Sequence, residues 1–465
     1  MYRGTGIIGP CPGVASGVRA TLRMRILFLL PLLAAAVGCR SGILRTALAP
    51  PSPHDRYASS LREAGLENAA LGRAWLDAAG SALAVPVART APFQETGYFA
   101  PDQPEAVGYR FPLARGQRVR AEVQWQAAEP SRLFLDLFAE GKTPEAPRRV
   151  LSAEEGVTRL DYEAEISGSF VLRLQPELLR GGRFTLVSRV EAALAFPVQD
   201  GTARAIGGGF GDPRDSARRR HEGIDIFAPR GTPAVAAAEA TVLSAGTNAL
   251  GGNVVWLRDA RRDLTYYYAH LDEQTVHAGQ RVLPGETVGR VGDSGNARGG
   301  ATHLHFAIYP RSGGAVDPRP YVATPRGEVP PLTADADALG TLRRVSTGTL
   351  PVAAAPSEKA PTSARLSRHT LLRVTGATGS WFRVSLPDGA RGYVAAKGTE
   401  AATRPLRRVR RDSESRILDR PRETGVIVES VAPGVEMVVY ARHEGFLYVQ
   451  TSVESFGWLA EPGSN

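Results

Sequence analysis

Five of the chain's eight histidines fall between positions 221 and 305, so this stretch is the part of the sequence best supplied with reactive side chains. His303 and His305 lie in an apolar run that is typical of a β-strand and that ends at Pro310. Side chains two residues apart on a strand point the same way, so both imidazoles face one side. His221 and Asp225 are also evenly spaced in a segment whose composition favours extended chain, which again predicts one shared face.

These residue types suit zinc. A catalytic zinc site uses imidazole and carboxylate ligands, three from the protein, and keeps one position for water. His221, Asp225 and one of the pair His303 and His305 would supply the three ligands. The other histidine of the pair and His270 would then lie close to the ion without binding it. Zinc lowers the pKa of water to about 7, a neutral histidine can take its proton, and a second can stabilise charge on the attacked carbonyl oxygen.

The order of the motifs resembles that of the lysostaphin/LytM-type zinc metallopeptidases, which cut the peptides of bacterial cell-wall peptidoglycan. Those enzymes carry His-x-Gly-x-Asp, then His-Leu, then His-Leu-His-Phe. The chain has these three motifs in that order at residues 221–225, 270–271 and 303–306. The alternative interpretation, a set of hydrogen-bonded structural histidines, does not account for three matching motifs within one segment.

The resemblance implies a small antiparallel β-sheet domain over residues 193–325 that binds one Zn²⁺ per chain. It implies zinc on His221, Asp225 and His305, with His270 and His303 as the catalytic pair that does not bind the metal. The implied function is hydrolysis of peptidoglycan cross-links by a zinc-activated water. The alternative is a non-catalytic cell-wall adaptor that activates other wall hydrolases, and the complete set of five residues favours the enzyme.

The N-terminus predicts export. Basic residues precede an apolar run of residues 26–37, which indicates a signal peptide over 1–39, with Met24 as a plausible true start. The run ends in Ala-Val-Gly-Cys, which resembles the lipobox where bacterial lipoproteins are cut and lipidated. Besides Cys39 the chain has only Cys11, which would be lost with the signal, so no disulfide is expected. We predict lipidation of Cys39, hence a protein anchored in the cell envelope, facing the periplasm, in the outer membrane.

Three segments precede the histidine-rich block. A proline-rich linker covers residues 40–53, and apolar residues at three- and four-residue steps predict a helical segment over 54–84. Residues 85–192 alternate between apolar and polar positions and are interrupted by glycine-containing turns, which predicts an antiparallel β-sandwich. This module carries no catalytic cluster, so we interpret it as a spacer or binding module.

An internal repeat follows a Pro/Ala/Asp-rich linker over residues 326–338. Gly392-Tyr393 in its first copy corresponds to Gly457-Trp458 in the second, at a constant offset of 65 residues. Repeats of this length are whole small domains. They resemble bacterial SH3-like barrels, which in wall enzymes bind wall peptide. We name them the first repeat (339–400) and the second repeat (401–465), and by analogy favour a binding role over a supporting one.

The predicted fold class is therefore mainly β, with a short helical segment, a β-sandwich, a small antiparallel metallopeptidase sheet and two SH3-like barrels. The formal charge of +9 suits an anionic wall polymer, although it is more often surface composition. The predicted partners are peptidoglycan and, through Cys39, a membrane. No nucleic-acid motif is present in the sequence, and we predict a monomer.

Overall fold

The chain is mainly β, as predicted. The computed structural model describes residues 50–141, 147–214, 216–452 and 454–461. The predicted signal peptide, most of the predicted 40–53 linker and the lipidation candidate Cys39 lie outside these residues. Within the described ranges, no helix is long and apolar enough to cross a membrane.

Two helices, α1 and α2, open the described chain, and a third, α3, follows the histidine-rich block; they span Pro53–Glu63, Ala70–Ala84 and Arg319–Val322. Ser52 caps α1 by accepting from the Asp55 amide, and the Asp55 carboxylate accepts from the Ser52 amide in return. Trp75 of α2 is buried and donates from Nε1 to the Pro176 carbonyl at 2.8 Å, which fixes the helices on the strands that follow. Short 3-10 turns occur at Leu66–Asn68, Ala203–Ala205, Gly295–Ala297, Ala336–Ala338 and Ala396–Gly398.

A β-sandwich follows the helices. Its nine strands β1–β9 are Val87–Ala88, Phe93–Phe99, Val107–Leu113, Gln117–Ala127, Leu133–Ala139, Arg148–Ser152, Arg159–Glu163, Gly168–Pro176 and Gly182–Ala192. One sheet has the order β1-β3-β8-β5-β6, and the other contains β2-β9-β4-β7. Apolar residues from the two inner faces, among them Phe111, Phe170 and Phe184, form a shared core.

The histidine-rich block forms the central sheet. Its strands β10–β20 are Ile206–Gly208, Pro213–Arg214, Arg219–Arg220, Ile224–Phe227, Pro233–Val235, Ala240–Asn248, Gly252–Asp259, Leu264–Gln274, Arg281–Val282, Thr287–Val291 and His303–Pro310. The main order is β10-β13-β20-β17-β16-β15-β18, while β14 and β19 pair beside β17, and β11 and β12 form a separate hairpin. Ile226, Leu304 and Phe306 are fully buried beneath the sheet, so the alternate side chains of β13 and β20 face the other way.

The two repeats supply the remaining strands. In the first, β21–β27 are Leu342–Val345, Thr349–Ala353, Thr362–Ser367, Leu371–Thr378, Trp381–Ser385, Arg391–Ala395 and Thr399–Ala401. In the second, β28–β33 are Arg407–Val409, Ser415–Leu418, Ile427–Val431, Met437–His443, Phe446–Gln450 and Phe456–Ala460. Positions matched at the 65-residue offset are similarly buried, as for Val384 and Val449, and each repeat has its own apolar core.

The sandwich and the first repeat are not separate bodies on a flexible linker. Strand β2 pairs with β24, so one sheet of the sandwich continues into the first repeat as an eleven-stranded sheet. Part of the 326–338 segment, which we predicted as a linker, packs into the core of the first repeat through Ala334 and Ala338. Alanine has a small apolar side chain that a core can accept, and proline-rich composition alone did not reveal this burial.

Candidate metal centre

Two neighbouring strands of the central sheet position the predicted ligands. Strands β13 and β20 are antiparallel, and their register sets Asp225 directly opposite His305. His221 lies just before β13, where its amide donates to the Asp212 carbonyl at 2.8 Å. The chain therefore brings together side chains that are 80 residues or more apart in sequence.

Each of the three predicted ligands contributes one atom to a common point. His221 Nε2 lies 2.9 Å from His305 Nδ1 and 3.0 Å from Asp225 Oδ1, and His305 Nδ1 lies 3.1 Å from the same carboxylate oxygen. His221 and Asp225 are buried, and His305 is nearly so. Two ring nitrogens and one carboxylate oxygen thus form a triangle with sides of about equal length.

This donor set fits a zinc ion. The Gly209 carbonyl can only accept a hydrogen bond, so His221 Nδ1, 2.7 Å away, carries the ring proton and Nε2 presents a lone pair to the triangle. Bonds of 2.0–2.2 Å around a tetrahedral zinc place ligand atoms roughly 3.4 Å apart, a few tenths more than the spacings present. Burial alone would raise the pKa of Asp225, but the electrostatic interactions of its carboxylate with the His221 and His305 rings outweigh burial and hold that pKa well below its usual range, so the carboxylate is ionised.

The glycine of the first motif is required by close packing. A Cβ at Gly223 would lie 2.5 Å from the Phe306 carbonyl oxygen and 2.8 Å from Cε1 of His305. Both distances are shorter than real Cβ contacts, and the first involves backbone that cannot easily move. Glycine at this position therefore lets the ligand-bearing strands approach each other.

His270 reaches the same region by an irregularity in strand β17. Its φ of 62° is left-handed, a conformation in which histidine is over-represented among non-glycine residues, and the pairing register of β17 shifts beside it. Tyr268 and Leu271 on either side are fully buried, whereas the His270 ring lies 4.9 Å from that of His303 and 5.9 Å from that of His305, between centroids. The shift re-aims the His270 side chain toward the ligands.

The two remaining histidines are oriented in the same way. His270 Nδ1 lies 2.9 Å from the Ser294 carbonyl and His303 Nδ1 lies 2.8 Å from the Ala301 carbonyl, so each ring carries its proton there. Their Nε2 atoms are left as proton acceptors, and that of His303 lies 3.8 Å from Asp225 Oδ1. Burial, with a smaller contribution from the charges of His303 and His305, lowers the pKa of His270 to about 4, so its ring is neutral at pH 7.

Sequence reasoning missed Arg214. Its guanidinium donates to Asp225 Oδ2, the oxygen that does not face the triangle. It also lies 3.1 Å from His221 Nδ1, but the shorter contact of that nitrogen, 2.7 Å to the Gly209 carbonyl, is the one that fixes the ring proton. It comes from the β11–β12 hairpin, so it has no periodic relation to the histidines. The only available signal was the Phe-Gly-Asp-Pro-Arg segment ahead of His221, whose residue types do not by themselves indicate a contact with a carboxylate. Arg214 is a positioning residue for the Asp225 carboxylate.

An aromatic row extends from the candidate centre along the sheet. Tyr266 and Tyr268 are fully buried, while Tyr267 between them faces the opposite side and lies 5.9 Å from His305 between ring centroids. Trp256 stacks on Tyr267 at 4.2 Å and lies 5.6 Å from Tyr309. The rings of Tyr267 and Tyr309 are tilted by 36° and 43° to that of Trp256, and the three half-buried rings form an apolar surface next to the cluster of histidines.

Comparison with known proteins identifies two parts of the chain. Residues 219–318 match the model of peptidase family M23, and residues 347–399 match that of the bacterial SH3 domain. The chain carries an M23 peptidase domain. The M23 match contains both ligand motifs and His270, so the candidate centre lies entirely within that domain. The SH3 match lies in the first repeat, and the SH3-like nature of the second repeat stays a prediction.

Curated relatives share the M23 region. The L-Ala–D-Glu endopeptidase of Bacillus subtilis is 34% identical over 139 residues, which cover 28% of this chain and 42% of the relative. The peptidoglycan DD-endopeptidase ShyC of Vibrio cholerae is 36% identical over 90 residues, 19% of this chain and 21% of the relative. The uncharacterized lipoprotein YgeR of Escherichia coli is 36% identical over 119 residues, 25% of this chain and 45% of the relative. The chain therefore spans less than half the length of each of these relatives.

Proposed function

We propose that this protein is an exported zinc metalloendopeptidase that hydrolyses the peptide cross-links of bacterial peptidoglycan. The observation that carries the proposal is the convergence of His221, Asp225 and His305 on one point, with His270 and His303 beside it, inside an M23 domain. Zinc bound by the three ligands would act as a Lewis acid and lower the pKa of water to about 7. The peptidoglycan endopeptidases among the relatives support the substrate class.

The catalytic pair moves the protons. His270 and His303 both present an unprotonated Nε2 toward the cleft, so either one can accept the proton of the attacking water as general base. The ring that has accepted a proton becomes a donor and can protonate the leaving amine. The other ring, if its Nε2 is protonated in the working enzyme, can donate to the oxyanion that develops on the scissile carbonyl. Burial of His270 favours its neutral form, which suits a proton acceptor at pH 7.

The aromatic row offers a place for the peptide. Trp256, Tyr267 and Tyr309 form a surface that begins beside His305, on the face of the sheet that carries the ligands. An extended peptide with short apolar side chains can pack on such rings without a deep pocket. The names of the relatives denote two different bonds, so family membership does not fix which bond is cut. We propose a cross-link because that is the function that the motifs first implied.

The test is digestion of purified peptidoglycan by the chain from Arg40 onward, with released muropeptides identified by mass. We expect cross-linked dimers to be converted to monomers, the conversion to stop with a chelator and to resume with zinc. The variant His305→Ala should lose both the metal and the activity. His277→Ala, an exposed histidine of the same domain outside the cluster, is the matched control and should keep both.

Two outcomes would contradict the enzyme. A protein that holds one zinc ion but releases no muropeptide would point to a non-catalytic adaptor that activates other wall hydrolases. Release that persists with chelator and in His305→Ala would place the activity elsewhere or in a contaminant. The masses of the products also identify the bond, since cleavage next to D-Glu and cleavage of the cross-link leave different peptides.

We further propose that Cys39 is lipidated and anchors the protein in the envelope, facing the periplasm, in the outer membrane. Its sequence context and the lipoprotein named among the relatives support this. Cys39→Ala should move the protein from the membrane fraction to the soluble periplasmic fraction, and a protein that stays in the membrane fraction would contradict the anchor. We propose the domain limits given above, a monomer, and wall binding by the two repeats.

A further inference from the structure

A second histidine site lies far along the chain from the M23 centre. His443 ends strand β31 in the second repeat and is 3% exposed, yet neither ring nitrogen has a hydrogen-bond partner in the described part of the chain. A buried polar group without a partner loses its hydration and gains nothing in return. By contrast, each histidine of the M23 cluster has a hydrogen-bond partner.

Two carboxylates face this ring from different repeats. Asp388 Oδ2, from the loop between β25 and β26 of the first repeat, lies 3.7 Å from His443 Nε2. Glu444 Oε2, from the turn that follows β31, lies 3.9 Å from the same nitrogen. The Ala390 amide donates to Asp388 Oδ1 at 2.9 Å, which holds the other carboxylate oxygen toward the histidine.

These distances are too long for hydrogen bonds and suit a gap that one ion fills. One ligand atom from each of the three side chains lies within 4.8 Å of the others. Tetrahedral zinc holds its ligand atoms roughly 3.4 Å apart. The two distances from His443 Nε2, 3.7 and 3.9 Å, need to shorten by only a few tenths of an ångström, and the exposed carboxylates can move the larger distance that separates them from each other. Asp388 and Glu444 are 41% and 76% exposed at the side chain, so solvent can reach the centre and supply the fourth ligand.

We propose that His443, Asp388 and Glu444 bind a divalent transition-metal ion of the zinc class that joins the first repeat to the second. The set is not a property of the repeat itself. At the 65-residue offset, Thr378 and Gly379 stand where the second repeat has His443 and Glu444. Thr378 hydrogen-bonds the Gln94 carbonyl and Arg89 of the sandwich, so the first repeat uses that position for a different contact.

The ion would reinforce an apolar contact that already exists. A buried cluster spans the two repeats, with Leu371 from the first and Leu418, Ala441, Phe446 and Trp458 from the second. The His443 ring lies 6.3 Å from that of Trp458 between centroids, at the border of this cluster. A metal bound by a loop of one repeat and a turn of the other would fix their relative orientation, independently of hydrolysis in the M23 domain.

The test removes the M23 centre first. In the chain from Arg40 onward carrying His221→Ala and His305→Ala, zinc bound per chain is measured by isothermal titration and by elemental analysis of the dialysed protein. We expect about one zinc ion per chain in this background, and a rise in Tm of several degrees when zinc is added. Adding Glu444→Gln and Asp388→Asn should abolish both effects, and these exposed changes spare the buried histidine. His369→Ala, in the first repeat and outside the acidic set, is the control and should keep both.

Three results would overturn the proposal. The first is that the background variant binds no zinc. The second is that the Asp388/Glu444 variant binds as much zinc as the background variant does. The third is that zinc binds without changing Tm. His443→Ala, checked by circular dichroism for folding, is the second route to the same answer.

Discussion

Asp225 and Glu95 are carboxylates buried among hydrogen-bonding groups in two regions of the molecule, and the two clusters differ in whether those groups satisfy both carboxylate oxygens. Asp225 lies in the M23 domain between His221 and His305. Glu95 lies fully buried where strand β2 of the sandwich meets the first repeat. Burial alone would raise the pKa of either carboxyl, but neighbouring groups outweigh burial and lower it in both, so both are ionised.

The Glu95 cluster is complete without a ligand. Tyr109 and Arg383 donate to Oε1 at 2.7 and 2.8 Å, while Tyr393 donates to Oε2 at 2.6 Å and Arg89 lies 3.1 Å from it. Two guanidinium groups and two phenols therefore satisfy both oxygens. The cluster ties the sandwich to the first repeat and leaves no direction from which an ion can approach.

The Asp225 cluster is incomplete without a cation. His221 Nε2 bears a lone pair, because its ring proton is on Nδ1, and it lies within 3.1 Å of His305 Nδ1 and Asp225 Oδ1. Acceptor atoms this close repel one another unless a proton or a metal lies between them. The comparison teaches that a buried acid is structural when arginine and tyrosine occupy both of its oxygens. Asp225 has Arg214 on Oδ2 only, and its Oδ1 faces imidazole nitrogens, which marks a binding site.

The largest effect should come from His270→Ala. We expect kcat on peptidoglycan to fall by about 10²–10⁴-fold, because a positioned proton acceptor is lost, while one zinc ion per chain is retained. The measurement pairs muropeptide release with elemental analysis of the same sample. Zinc lost together with His270 would assign this residue to the metal and break the distinction between ligand and catalytic pair. His277→Ala is the control.

Glu95→Ala should destabilise the protein without touching the chemistry. Removal of the carboxylate leaves Arg89 and Arg383 buried and unpaired, which costs about 3–5 kcal/mol of the free energy of unfolding. Urea unfolding followed by tryptophan fluorescence measures the loss, and activity per folded molecule should be unchanged at low temperature. A loss below about 1 kcal/mol would show that the cluster does not hold the sandwich to the first repeat.

The same cluster predicts how stability depends on pH. The folded-state pKa of Glu95 is below its ordinary value of 4.5, so its contribution is present above that value and is lost as the pH falls through the lower pKa. Stability of the wild type should therefore fall more steeply below about pH 5 than that of Glu95→Ala. The free energy of unfolding in urea, measured between about pH 5 and about pH 3, gives the two slopes. Equal slopes for the wild type and Glu95→Ala would contradict a lowered pKa.

How far the sequence predicted the site depends on whether the strand is regular. Even spacing predicted a shared face for Asp225 and His221 and another for His303 and His305, and β13 and β20 keep a period of two that sets Asp225 opposite His305. The choice of His305 over His303 came only from the family resemblance. His270 was placed near the ion by its residue type and not by its spacing, since its left-handed backbone and the register shift in β17 redirect its side chain. Arg214 could not be predicted, because a separate hairpin carries it to Asp225.

The arrangement of domains was harder to predict than the fold class. The mainly β fold class is confirmed, since alternation of apolar residues is a local signal. The pairing of β2 with β24 joins Thr96 to Ala377, a contact that no local pattern encodes. The burial of Glu95 likewise depends on Arg383 of the first repeat, a partner 288 residues away in the chain that no local pattern indicates.

The smallest effect should come from Tyr267→Phe, which tests whether the Tyr267 hydroxyl takes part in hydrolysis. Among the tyrosines at 266–268, Tyr267 alone faces the ligands, so its hydroxyl is a candidate donor to the oxyanion. In the structure, however, this hydroxyl accepts a weak hydrogen bond from Asn248 at 3.3 Å, and its ring packs on Trp256. We therefore expect a stability change below about 1 kcal/mol, a small rise in KM and an unchanged kcat.

A fall in kcat of about 10²-fold or more at unchanged KM would instead make Tyr267 an oxyanion donor. Tyr309→Phe, at the far end of the aromatic row, is the matched control, because its hydroxyl is bound to Glu222 and it lies farther from the ligands.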